Sequence, residues 1–115
     1  MKTIYDRIQN HSEVTPFRQR VFEALLEVPR GSVTTYGALA GRIGCGSARA
    51  VGGALRRNPL APEVPCHRVV ASDLTLGGFN GQRIGDMIEK KRLLLESEGV
   101  DFCVDGKVNP SCLWQ

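Results

Sequence analysis

The chain has 115 residues, 42% of them hydrophobic and 23% charged, with a formal net charge of +3. That length provides for one domain around one modest core, and the composition is that of an ordinary globular chain. No apolar run approaches the roughly 18 to 20 residues of a membrane span, so no membrane partner is expected. Met1 to Asp6 lack an apolar signal core, which argues against secretion and for a cytoplasmic protein, or a nuclear one in a eukaryote.

Residues 1–14 read as a polar lead-in with a short helix around Ile4, Tyr5 and Ile8. Residues 15–115 read as the single domain. Thr15-Pro16 has the form of a cap followed by proline at the first helical position. Phe17, Val21, Phe22, Leu25 and Leu26 then recur at helical spacing until Pro29-Arg30-Gly31 ends the run. Thr35 caps a second helix over Tyr36 to Ile43, and Gly44 suits the left-handed position after it. Ser47 caps a third helix from Ala48 to Arg57, stopped by Asn58-Pro59. The second and third helices form a helix-turn-helix over about residues 35–57.

That unit is unevenly charged. Of the 15 cations 11 are arginines, and Arg42, Arg49, Arg56, Arg57 and Arg68 fall close together. No Asp or Glu occurs between Ala38 and Pro62. Such an imbalance suits phosphate or nucleic acid, although a solvated basic face without a partner is the plain alternative. Gly52 and Gly53 cost a helix interior roughly 1 kcal/mol each relative to alanine, which suits a close approach by a DNA groove or by another part of the chain.

Pro59, Pro62 and Pro65 stiffen the linker that follows. Residues 71–81 form a loop, and its Gly77-Gly78-Phe79-Asn80-Gly81 core lets backbone amides approach a ligand. Arg83 to Ser97 is the next predicted helix, with Gly99 as its stop. Phe102 to Val108 read as a hairpin turning on Asp105-Gly106 in a two-residue loop. The predicted fold is therefore mainly α with a small β component.

Between linker and loop lies Val64-Pro65-Cys66-His67-Arg68-Val69-Val70. It puts a nucleophile, a base and a cation in succession, the usual setting of a reactive thiol. In an extended strand such neighbours point to opposite faces, so a turn or a bridging water is needed to join them. The four cysteines show no Cys-x-x-Cys pair and the two histidines no metal spacing, so no metal is expected. Cys45, Cys103 and Cys112 are read as reduced bystanders.

Pro65-Cys66-His67-Arg68-Val69-Val70 resembles the active-site signature of the O6-alkylguanine-DNA alkyltransferases. Asn58-Pro59 stands where that family has it. Ala48 to Leu55 resembles its recognition helix, Thr34-Thr35-Tyr36-Gly37 the start of the preceding helix, and Leu93 to Gly99 the segment with its buried glutamate. The match runs over about residues 15–108 and implies a winged helix-turn-helix like the family's C-terminal domain. It implies single-turnover repair: Cys66 takes the alkyl group from guanine O6 in double-stranded DNA, with no cofactor. By that resemblance His67 accepts the thiol proton through a water, Glu98 orients His67, and Asn58 fixes the active-site turn. Tyr36 turns the nucleotide out and donates to the base, and Arg49 fills the gap in the duplex. Arg56, Arg57, Thr34 and Thr35 complete the DNA-binding set. Val69, Phe79 and Asn80 line the substrate pocket with Tyr36, and the carbonyls of Cys66 and Val69 read the guanine amino group. Arg68 is read as a structural or phosphate-pairing cation.

The chain departs from the family in three ways. Full-length relatives carry an N-terminal domain where about 14 residues stand here, Phe79-Asn80 replaces a Tyr-Ser pair, and the segment after Gly81 is longer. A monomer is expected, with other repair proteins as further partners. The rival reading is an alkyltransferase-like protein that binds the lesion without transferring it, against which the retained Cys66 argues. A plain winged-helix DNA-binding protein would leave the Cys-His-Arg cluster unexplained.

Overall fold

The computed structural model describes residues 3–56, 58–76 and 86–114. Helices α1 (Ile4–Asn10), α2 (Pro16–Leu25), α3 (Tyr36–Arg42), α4 (Ala48–Leu55) and α5 (Asp86–Ser97) dominate, with strands β1 (Thr34–Thr35) and β2 (Val69–Val70). The architecture is thus mainly α with a two-stranded parallel sheet.

Side-chain caps set the helix starts. Thr15 accepts from the Arg18 amide at 3.2 Å, Thr35 from Ala38 at 3.1 Å and Ser47 from Ala50 at 3.0 Å, each cap contributing about 1 kcal/mol. Thr3 and Asp6 form a reciprocal capping box on α1. The short helix expected in the lead-in is more than an appendage, because its Ile8 is buried in the main core. Gly44 and Gly99 sit at φ +71° and +92°, the left-handed positions expected after α3 and α5. Helices of seven or eight residues are marginal alone, so α3 and α4 owe their stability to packing on each other and on α2.

Two apolar clusters divide the interior. The larger gathers α1, α2, α3 and α4 around Phe22, Leu25, Leu39 and Val51, and takes in Val64, Cys66 and Val69. The smaller holds Val33, Val70, Leu95, Val100 and Val108, with Leu74, Phe102 and Leu113 against it. Because strand side chains alternate, Val69 enters one cluster and Val70 the other, so β2 is the partition between them. β1 pairs with it in the register Thr34 to Val69 and Thr35 to Val70. The C-terminal segment closes the other flank, with Val33 donating to Cys112 and Trp114 donating to Val33.

Two expectations change, and others fall on residues that are not described. α4 ends at Leu55 with Arg56 as its cap, and Arg57 lies outside the described residues. The part of the last long helix before Asp86 lies outside them too, as does the 77–81 loop core with Phe79 and Asn80. The predicted hairpin is real as a Phe102–Val108 antiparallel bridge, but its loop has three residues, not two. Cys103 donates to Lys107, Gly106 donates back to Cys103, and Gly106 takes φ +87°. A turn followed by a left-handed glycine explains the extra residue.

Candidate active site and duplex-facing helix

The backbone turns sharply at the candidate nucleophile. Pro65 adopts φ −83°, ψ +69° and the Cys66 amide donates to the Val64 carbonyl at 2.9 Å, a tight three-residue turn. A single 3₁₀ turn, Cys66–Arg68, follows, with Arg68 donating to the Pro65 carbonyl and Val69 to that of Cys66. The stiffened approach through Pro65 is therefore a turn, and Val69-Val70 form an extended exit. Successive side chains in a 3₁₀ turn are rotated by a third of a circle, not half, which removes the opposite-faces objection to placing Cys66 and His67 together.

Asn58 organises the approach. Its side-chain amide donates to the Val64 carbonyl at 2.7 Å, and its carbonyl oxygen accepts from the Leu60 amide at 2.9 Å. One side chain thereby closes the proline-rich loop onto the residue two before Cys66.

Cys66 is buried, with 6% of its surface exposed. Burial pushes its thiol above the ordinary value, partly offset by a hydrogen bond with Asn58 and by the charge of Lys91. The resting group is thus a thiol, and proton removal must accompany any attack it makes.

His67 is buried at 2% exposure, and its Nε2 lies 3.0 Å from Glu98 Oε2. Burial holds the imidazole below its ordinary value, opposed by the hydrogen bond and charge of Glu98, so it is neutral and basic near pH 7. Burial would push the Glu98 carboxyl up, but hydrogen bonds from Arg68 and His67 outweigh it and hold it below the ordinary value. An ionised carboxylate only accepts. The shared proton therefore sits on His67 Nε2, which leaves Nδ1 as the accepting nitrogen.

Arg68 takes the structural alternative offered for it, with a partner, Glu98, that the sequence reading missed. Its Nε donates to Glu98 Oε1 at 3.0 Å and Nη2 to Oε2 at 2.9 Å, while Nη1 donates to the Val28 carbonyl at 2.9 Å. This bidentate fork fixes the carboxylate that faces His67. A second residue missed from sequence is Lys91 on α5, which has no exposed surface. Its only sequence signal was a cation at a position where the apolar stripe of α5 should face the core.

The other residues group on the helix-turn-helix. Arg49 and Arg56 are exposed on α4 beside Ala48, Ala50 and Gly53. A Cβ on Gly53 would meet nothing within 4 Å, whereas one on Gly52 would touch the Tyr36 ring at 3.9 Å. Internal packing therefore does not require glycine at 53, and that part of α4 is open. Tyr36 opens α3, half-buried against α4. Val69 is fully buried behind it in β2. Thr34 departs from the expected DNA-binding set: at 4% exposure it is inside the sheet, and the Thr35 hydroxyl is occupied in capping α3. No group of metal-ligating side chains is found among the described residues, nor any helix long and apolar enough to cross a membrane.

The family described as 6-O-methylguanine DNA methyltransferase, DNA binding domain, matches residues 16–100. The methylated-DNA–protein-cysteine methyltransferase of Haemophilus influenzae is 41% identical over 106 residues, covering 91% of this chain and 56% of that protein. The crystal structure of Mycobacterium tuberculosis OGT in complex with DNA superposes at TM-score 0.67 and 48% identity, covering 74% of this chain and 50% of that one. The Schizosaccharomyces pombe Atl1 complex with damaged DNA containing O6-carboxymethylguanine superposes at TM-score 0.71 and 31% identity, covering 86% of this chain and 94% of that one. The chain spans about half the length of the curated methyltransferases it matches. A family match over α2 to α5, joined to the Cys66 turn, identifies the chain as a member of the 6-O-methylguanine DNA methyltransferase DNA-binding-domain family.

Proposed function

We propose that the protein repairs O6-alkylguanine in double-stranded DNA by irreversible transfer of the alkyl group to Cys66. The observation that carries this reading is the buried succession of Cys66, neutral His67 and Arg68-clamped Glu98, set beside an arginine-bearing helix with no acid near it in sequence. Cys66 sulfur forms a bond to the alkyl carbon as the bond from that carbon to O6 breaks. The thiol proton passes through a water to His67 Nδ1, and Glu98 stabilises the imidazolium. The departing guanine takes a proton from the Tyr36 hydroxyl, which regains one from water as the imidazolium releases its own, and the thioether remains on the protein. A soft sulfur nucleophile suits displacement at saturated carbon, and because nothing cleaves the thioether each molecule acts once.

Arg49 enters the duplex in place of the extruded base, and Arg56 and Arg57 hold phosphates. Phe79 and Asn80 border the pocket, and the Cys66 and Val69 carbonyls read the guanine amino group. The protein works as a monomer, without cofactor, in the compartment that holds the DNA.

The test is incubation with a duplex carrying one O6-methylguanine, followed by intact-protein mass. A gain of about 14 Da, a methyl group in place of the thiol hydrogen of the nucleophile, is expected for the wild type and absent in Cys66→Ser. Unchanged mass with lesion-selective binding would favour a recognition protein, the reading to which the near full-length likeness to Atl1 lends weight. Unchanged mass without lesion preference would sink both.

A further inference from the structure

Helix α1 stands beside the loop that leads into the nucleophile. Asp6, Arg7, Asn10 and His11 of α1 line a cleft of about 330 Å³ together with Pro59 and Leu60. Ile8 and Leu60, exposed at 1% and 5%, lie in the same apolar cluster. Seven residues are too few for a helix to hold its place alone, so the burial of Ile8 is what seats α1 there. From that seat Arg7 Nη1 donates to Glu63 Oε1 and forms an ion pair with it. Glu63 is the single acid between Glu27 and Asp73.

One carbonyl links this ion pair to the reacting group. Asn58 Nδ2 donates to the Val64 oxygen at 2.7 Å, and the Cys66 amide donates to the same oxygen at 2.9 Å. The Val64 amide in turn donates to the Leu60 carbonyl at 3.0 Å. The peptide group of Val64 therefore sets where the Cys66 turn begins, and Glu63 is the residue directly before it. Asn58 holds that carbonyl from the start of the loop, and Arg7 holds the preceding residue from another helix. A misplacement of about 1 Å at a reacting centre can cost on the order of a hundredfold in rate. An exposed ion pair adds little to overall stability, so its loss should be read in the rate before it is read in the fold.

We propose that Arg7 is a positioning residue for alkyl transfer: by holding Glu63 it keeps the 59–65 loop, and through the Val64 carbonyl the Cys66 turn, in the reacting geometry. This inference rests on the transfer reading above. It makes the N-terminal helix part of the support of the active site.

The experiment measures single-turnover transfer from O6-methylguanine duplex by intact mass over a range of duplex concentrations. That range separates the limiting rate at saturation from the concentration that gives half of it. Arg7→Glu, Glu63→Arg and the double variant carrying both changes are compared with wild type. The two side chains are 42% and 55% exposed, so these exchanges leave the fold intact, which circular dichroism checks. Each single variant should lower the limiting rate about twofold to fivefold, the reach of an exposed ion pair. The double variant should be faster than either single one, because it rebuilds the pair with its charges reversed. A limiting rate less than about twofold below wild type in the single variants, or a double variant no faster than they are, overturns the inference and leaves transfer intact. So does a loss confined to the half-saturating concentration, which would make Arg7 a DNA contact. Absence of any mass gain in the wild type overturns transfer and this inference together.

Discussion

The Cys66 turn and the α4 face use charge in opposite ways. Behind Cys66, Lys91 is fully buried and Arg68 and Glu98 are half-buried, held by hydrogen bonds of fixed geometry. On α4, Arg49 and Arg56 stand in solvent among small side chains. Fixed buried charges act on one atom with little screening, whereas exposed ones act on a polyanion and weaken with salt. Chemistry and grip are thus separable, and substitutions should sort accordingly.

The largest break is at the first region. Glu98→Ala leaves the Arg68 guanidinium and His67 without their carboxylate, and should cost about 3–5 kcal/mol of stability, the usual effect of splitting a buried pair. Urea unfolding measures it; a loss under about 1 kcal/mol, typical of surface pairs, would show the fork to be a surface-like contact. Arg68→Lys keeps the charge but loses the fork. It should slow transfer and lower stability less than Glu98→Ala, and equality with wild type in both would contradict the clamp.

Acid should find the same region. The Glu98 carboxyl is held below its ordinary value, so its contribution is present above that value and lost as pH falls through the lowered one. His67 is also held below its ordinary value of 6.5, so the unfolded chain takes up that proton first and stability declines as pH drops below 6.5. Thermal midpoints should therefore decrease from pH 7 towards pH 4, and His67→Gln should remove the upper part of the decline. A flat curve in both proteins would contradict the buried neutral imidazole.

At the second region the effects are smaller and fall on binding. Arg49→Ala should weaken repair of duplex DNA more than reaction with free O6-benzylguanine, and equal losses would remove Arg49 from the duplex. Arg56→Ala should lower the salt slope of binding by about one, read from affinities at several salt concentrations. Gly53→Ala is the finest test. With nothing within 4 Å of the added carbon, it should stabilise the free protein by about 0.5–1 kcal/mol. If a groove approaches α4 there, it should weaken DNA binding as well; unchanged binding would leave that glycine without a role.

Local features were legible in the sequence. Thr15, Thr35 and Ser47 act at short range, and Gly44 and Gly99 mark backbone that other residues avoid. What was not legible depends on distant partners. The pairing of Thr34-Thr35 with Val69-Val70 joins segments far apart in sequence, and it is what buries Thr34, which the motif alone had placed with the DNA contacts. The Arg68 fork needed Glu98 brought back by α5. Lys91 drew no reading because nothing local says that its ammonium reaches the Val69 and Leu76 carbonyls. The family motif named Cys66, His67, Glu98 and Asn58, and the fold sets His67 against Glu98 and Asn58 against Cys66; it could not name what keeps Glu98 and Val69 in place.

The two-residue strand pair has a consequence out of proportion to its length. β1 runs without a gap into Tyr36, and β2 leaves the Cys66 turn without a gap. Neighbouring strands lie about 4.8 Å apart, so the start of α3 and the end of the Cys66 turn are tied across a short ladder. In the proposed reaction, the nucleotide turned out at Tyr36 meets a Cys66 turn already tied to that residue by the strand pair.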